Sequence, residues 1–222
     1  MLISHSHKFI FIKTKKTAGS TIENLIVNNF FDPSIDICTG SKIDGTPRSN
    51  IGPKKPNEPD GHKPWSMVKD YVTPEQWTNY HKFTIERNPW DKIVSEFYWR
   101  TADGKDPTIT PFDSDVDNFE FYIDKVFGIR HPAPIDWHLY ASGRQLVVDE
   151  VIEYKCLADQ FVRMCEDKLN LVATKEMVTG TRMKSGHRKK HYTELYKSQH
   201  VIDKVAAAYA SEINHFNYIF GE

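Results

Sequence analysis

Apolar residues recur along the chain at two periods, and their order predicts strands alternating with helices. Lys8 to Lys13 (KFIFIK) is an aromatic and β-branched run between polar residues, too short for a helix, and reads as a buried strand. Thr14 to Ala18 makes a tight loop. Beyond Gly19, Ile22, Leu25, Ile26 and Phe30 share one helical face until Asp32 and Pro33 end the element. Short helices are expected from Pro64 to Tyr71 and from Thr73 and Pro74 to Tyr80. His81 to Glu86 (HKFTIE) is a second buried strand that runs into Arg87, Asn88, Pro89 and Trp90. Asn88 can cap a helix whose first residue is Pro89 and whose inward face is Trp90, Ile93, Val94, Phe97 and Tyr98. A helix follows around Phe119 to Val126, with Asp115 and Asp117 near its positive end, and Leu146 to Tyr154 has strand character. Leu157, Phe161, Met164, Cys165 and Leu169 mark another amphipathic helix, and Val201, Ile202, Val205, Tyr209 and Ile213 the last.

Between these elements, Ile37 to Pro64 is crowded with Gly, Pro, Lys, Asp and Asn and reads as a long loop, as does the Pro-containing stretch Ile129 to Gly143. Alternating strands and helices imply an α/β fold of three layers, a mainly parallel central sheet flanked by helices. At 222 residues the chain fits one domain, 1–222, with a long loop at about 37–63 and a basic loop at about 180–191. Lys and Arg number 29 against 30 Asp and Glu, which argues against a protein built to coat nucleic acid or an anionic membrane. Any anion site must be local. Cys38, Cys156 and Cys165 form no CxxC pair and lack His at zinc spacing, so no metal is expected and a reducing compartment fits. Phe9 to Ile12 is far short of a signal-peptide core or a membrane span, so the expectation is a soluble, cytoplasmic protein.

Two strand-to-helix turns carry candidate chemistry. In Thr14-Lys15-Lys16-Thr17-Ala18-Gly19-Ser20-Thr21 the small residues let backbone N–H groups close on an anion. The helix adds its positive end and the hydroxyls of Ser20 and Thr21, and Lys16 adds a full charge. The Walker pattern GxxxxGK[ST] is absent, which weakens a nucleotide-dependent phosphoryl-transfer reading. At the second turn Arg87 offers a planar fork for a phosphate and Ser95, two turns into the next helix, a hydroxyl. Arg87 could equally pair with Glu86, Asp91 or a buried carbonyl. Two such turns suit a ligand with phosphate-like groups at both ends.

The segment FIFIKTKKTAGST resembles the 5′-phosphosulfate loop of the sulfotransferases, and FTIERNPWDKIVSEFYWR is similar to their 3′-phosphate motif, particularly in the carbohydrate-type sulfotransferase family 2 domain. His62 to Tyr80, Val151 to Leu157, and Lys184 through Phe216-Asn217-Tyr218 resemble later parts of that domain. The chain departs from it at Thr14-Lys15, where Pro commonly precedes the lysine, at Ala18 and Ser20, at Lys155, and at Asn217 in place of Gly. The resemblance implies a P-loop-like fold and transfer of a sulfuryl group from 3′-phosphoadenosine 5′-phosphosulfate (PAPS) to an acceptor hydroxyl, expected on a saccharide. It implies Lys16 as the residue that stabilises the leaving phosphate and His62 as the base, with Glu23, His5, Glu58 and Asp60 as competitors. Lys15, Lys16, Thr17, Ala18, Gly19, Ser20, Thr21, Arg87 and Ser95 would hold the donor. So would Lys184, Ser185, Arg188 and Lys189, in a late basic loop folded over the 3′-phosphate. Trp65, beside the long loop and His62, is the candidate acceptor contact, whereas Trp90 falls on a core face. A non-catalytic module binding nucleic acid or a sulfated polymer through the basic stretch is the remaining alternative, although the neutral overall charge makes a nucleic-acid partner unfavoured.

Overall fold

A computed structural model describes residues 1–39, 61–102, 106–127, 133–181 and 190–222. The elements, in chain order, begin with β1 (Leu2–Ser4), β2 (Phe9–Phe11), α1 (Gly19–Asn29), β3 (Ile37–Cys38), α2 (Trp65–Val68), α3 (Pro74–Asn79) and β4 (His81–Glu86). They continue with α4 (Pro89–Thr101), α5 (Asp115–Val126), α6 (Trp137–Tyr140), β5 (Ala141–Ser142), β6 (Gln145–Leu146) and β7 (Glu150–Glu153). The last are α7 (Leu157–Met164), α8 (Lys175–Gly180), α9 (Gln199–Ala208) and α10 (Ala210–Phe216). They gather into two compact units, Met1–Glu86 with His138–Met183, and Arg87–Trp137 with Lys184–Glu222.

The first unit holds a five-stranded sheet in the order β3-β1-β2-β4-β7. β2, β4 and β7 are parallel neighbours, but β1 runs antiparallel to both β2 and β3. The sheet is therefore mixed, with β1 alone running against the other four strands. The reason is local: only residues 5–8 separate β1 from β2, and so short a connection can join only antiparallel strands. β3 lies within the stretch expected to be loop from residue 37, because two residues carry no periodicity and become a strand only by pairing Leu2 with Cys38 and Ile3 with Ile37. The rest of that expected loop, 40–60, lies outside the described residues. The second expected loop instead holds the one-turn helix α6 and β5, and β5 pairs with β6, just beyond it, in a small hairpin.

Alternate residues Leu2, Phe9, Phe11, Phe83, Ile85 and Ile152 pack against Ile22, Leu25 and Ile26 of α1, Phe161 and Met164 of α7, and Val178 of α8. The rings of Phe11 and Phe83 stack at 4.9 Å, joining β2 to β4 through their side chains as well as their backbones. Beyond β2 the ladder continues: Ile12 N–H donates to the Phe83 carbonyl at 3.0 Å and Thr84 Oγ1 to the Ile12 carbonyl at 2.7 Å. These bonds carry the chain rigidly up to Lys13, where the first candidate turn begins. α3 starts at the expected Thr73-Pro74 with a capping box, Thr73 Oγ1 accepting from Gln76 N–H while Gln76 Oε1 accepts from Thr73 N–H.

In the second unit, α4, α5 and α9 bury Trp90, Ile93, Val94, Phe97, Phe119, Tyr122, Ile123, Val201 and Val205 in one cluster. Asn88 Oδ1 accepts from Trp90 N–H at 3.1 Å and Pro89 occupies the first helical turn, so α4 starts where its residues predict. Lys92 on α4 and Asp136 form an ion pair at 3.0 Å with both side chains fully buried. The last expected helix is broken at Tyr209 (φ −108°, ψ 26°) into α9 and α10. Asn217 ends α10 at φ 55°, ψ 39°, a left-handed position that Gly fills most often and Asn next, which accounts for Asn where Gly is usual.

Candidate active site

The turn after β2 reverses the chain through two left-handed residues, Lys16 (φ 59°) and Ala18 (φ 61°). For residues with a side chain this conformation costs about 1–2 kcal/mol each, so the loop must be held. Thr17, between them, is buried, and its hydroxyl lies 2.8 Å from Thr14 Oγ1 and donates to the Thr14 carbonyl at 3.3 Å. Thr14 Oγ1 reaches the Ile85 carbonyl on β4. Ala18 then starts α1 without a side-chain cap, its carbonyl accepting from Thr21 N–H at 2.9 Å and Ile22 N–H at 3.2 Å. The helix's first N–H groups, those of Gly19 and Ser20, have no acceptor in the preceding helical turn and are the natural donors to an anion. Lys15, Lys16 and Ser20 are partly exposed beside them.

Lys13 supports this turn from below. Its ammonium pairs with Glu23 Oε2 at 3.1 Å, the two side chains being 7% and 1% exposed. Its stem lies across Gly19 so closely that a Cβ there would stand 2.7 Å from Lys13 Cγ, which is why the loop ends in glycine. The Lys13 carbonyl lies 3.0 Å from His62 Nδ1. A carbonyl can only accept, so Nδ1 carries the proton and Nε2 is the accepting nitrogen of the neutral ring. A neutral ring held in this way keeps the one lone pair that a general base needs.

Arg87 opens the second unit, buried, with Nε donating to Asp91 Oδ2 at 2.7 Å one helical turn on. Asp91 thereby fixes the plane of the guanidinium, and Ser95 sits a further turn along α4, partly exposed. In the first unit, Glu86 at the end of β4 is buried and accepts from Tyr140 Oη at 2.8 Å; the next carbonyl, that of Ala141, accepts from Trp65 Nε1 at 3.1 Å.

A family model described as the sulfotransferase family matches residues 1–115, which include the Lys16 turn, His62, Trp65, Arg87 and Ser95. The chain belongs to the sulfotransferase family. No curated protein and no solved structure matches it. Among the residues described for this sulfotransferase, no group of three or more His, Cys, Asp or Glu is arranged to hold a metal, and no helix is long and apolar enough to cross a membrane. Burial pushes the Cys165 thiol up to about 12, so it is protonated at neutral pH and no nucleophile.

The competitors for the role of base separate by environment. Glu23 is buried and ion-paired with Lys13, and His5 Nδ1 lies 2.9 Å from the Tyr80 hydroxyl in the β1–β2 turn. Glu58 and Asp60 lie outside the described residues, as do Lys184, Ser185, Arg188 and Lys189 of the basic loop. Trp65 stands 6.4 Å from Trp77 with the Lys69 ammonium 5.1 Å from each ring, so its indole N–H and one face are already engaged. The unusual Lys155 pairs with Glu153 at 3.2 Å in a largely exposed position, a contact that adds little to stability. Sequence reasoning passed over Lys13 because its partner, Glu23, is ten residues away across a turn, a spacing with no periodic signature.

Proposed function

We propose that the chain transfers a sulfuryl group from PAPS to a hydroxyl of a saccharide acceptor, without a metal, in a P-loop-like domain spanning residues 1–222. The observation that carries this is the family-matched turn at 14–21 with His62 tethered to the carbonyl of Lys13. The acceptor oxygen attacks sulfur while the bond from sulfur to the bridging oxygen of the phosphate breaks. Adenosine 3′,5′-bisphosphate leaves with that electron pair, and the acceptor proton passes to His62 Nε2. Negative charge grows on the bridging oxygen, so Lys16 and the N–H groups of Gly19 and Ser20 stabilise the transition state more than the ground state. Lys15, Thr17, Ala18 and Thr21 complete the cradle. The 3′-phosphate falls to Arg87 and Ser95, by family likeness, with Lys184, Ser185, Arg188 and Lys189 closing over it. Trp65 contacts the acceptor, and the sparse cysteines fit a cytoplasmic setting.

A thermal-shift panel tests this reading. Adenosine 3′,5′-bisphosphate is expected to raise Tm without metal, whereas ATP with or without magnesium and a single-stranded oligonucleotide leave it unchanged. Stabilisation by magnesium-ATP would point to phosphoryl transfer instead, and by the oligonucleotide to a binding module. Arg87→Ala should weaken the bisphosphate by about 2–5 kcal/mol in calorimetric titration, because a charged, hydrogen-bonded contact is lost. Adenosine 5′-phosphate should be bound no more weakly than before, so discrimination between the two collapses. Unaltered discrimination would confine Arg87 to its bond with Asp91.

A further inference from the structure

The anion loop holds two strained residues, Lys16 and Ala18, and strain of this kind persists only where the surroundings leave no relaxed alternative. The Thr14 and Thr17 hydroxyls fill the interior of the loop. They tie Thr17 back to Thr14 but do not reach α1. Lys13 does: it stands at the strand end, its stem crosses Gly19 in the first turn of α1, and its ammonium reaches Glu23 in the next turn. We propose that the Lys13–Glu23 ion pair, laid over Gly19, is a strut that preorganises the anion loop before the donor arrives, and that Glu23 is a positioning residue of the site.

This role rests on the sulfotransfer reading and extends it to a buried carboxylate outside the proposed donor and acceptor contacts. A buried ion pair adds little net stability over an apolar pair of similar volume; what it adds is direction. Here the direction is across the mouth of the loop. Binding to a loop already in shape avoids the ordering cost that a relaxed loop incurs, so the strut should appear in donor affinity.

The test is calorimetric titration of the full chain with adenosine 3′,5′-bisphosphate in a double-mutant cycle. Glu23→Gln is expected to weaken binding about tenfold in the parent chain, and by less than about threefold in an Ala18→Gly background, where glycine holds φ > 0 without strain. Equal losses in both backgrounds, or no loss in either, overturn the strut. Hydrogen exchange at the amides of Thr21 and Ile22, which donate to the Ala18 carbonyl at the loop's end, gives a reading independent of any donor: Glu23→Gln should speed it, and unchanged protection overturns the proposal. Should Glu23→Gln fail to fold, the double variant Lys13→Met with Glu23→Met removes both charges, is expected to fold, and should show the same faster exchange. Parental protection in that variant counts against the strut. If the parent chain does not bind the bisphosphate at all, the donor reading falls, and exchange at Thr21 and Ile22 alone decides the strut.

Discussion

Lys16→Ala is expected to lower turnover at least about a hundredfold while leaving the fold intact, by analogy with the loss of one preorganised donor to a developing oxyanion. The side chain emerges from a left-handed residue beside the first N–H groups of α1, and in the proposed mechanism helix dipole and ammonium act on the same oxygen. Its charge matters most when the bridging oxygen becomes anionic. The loss should therefore fall on kcat more than on KM for the donor. Release of adenosine 3′,5′-bisphosphate from PAPS in the presence of an acceptor saccharide measures it, with unfolding followed separately by circular dichroism. A variant with near-parental turnover removes Lys16 from the chemistry. Ala in place of Lys at φ 59° keeps the same backbone cost, so a change in stability would come from lost side-chain contacts rather than from the turn.

His62→Asn should cost two to four orders of magnitude, roughly the worth of a positioned general base. Asn can still donate from its side-chain amide toward the Lys13 carbonyl, so the tether survives while the accepting nitrogen is lost. In the parent chain, protonation of the ring leaves no lone pair to take the acceptor's proton, and the rate must fall on the acid side. The variant should have lost that acid limb and kept its affinity for adenosine 3′,5′-bisphosphate. The opposite pattern, weaker donor binding with the acid limb intact, would make His62 an anchor of the segment before α2 and return the proton to a carboxylate, Glu23 or Asp60.

The amino-acid sequence on its own was enough for elements whose signal is local. HKFTIE can bury itself only as a strand, and Asn88 before Pro89 supplies both the acceptor and the fixed φ that start α4; the structure has both at these residues. The strand, turn and helix around Lys16 were legible for the same reason, and with them the family. Arg87 was placed at the mouth of a strand by sequence, and the structure shows Asp91, one turn along the helix, as a partner among the three it offered.

What the sequence could not decide were contacts between residues with no regular spacing. β1 and β3 are three and two residues long and exist as strands only because each finds a neighbour's backbone, which makes the sheet mixed. The break at Tyr209 lies inside an unbroken apolar stripe, so periodicity alone continues the helix across it. Glu23 read from sequence as a possible base; burial beside Lys13 turned it into a counter-ion. The tautomer of His62 depends on a carbonyl 49 residues earlier in the chain. A side chain's type states which protons it can give or take, but its partner is settled only when distant segments pack, because desolvation leaves a buried charge or ring nitrogen no alternative to the groups that folding brings within reach.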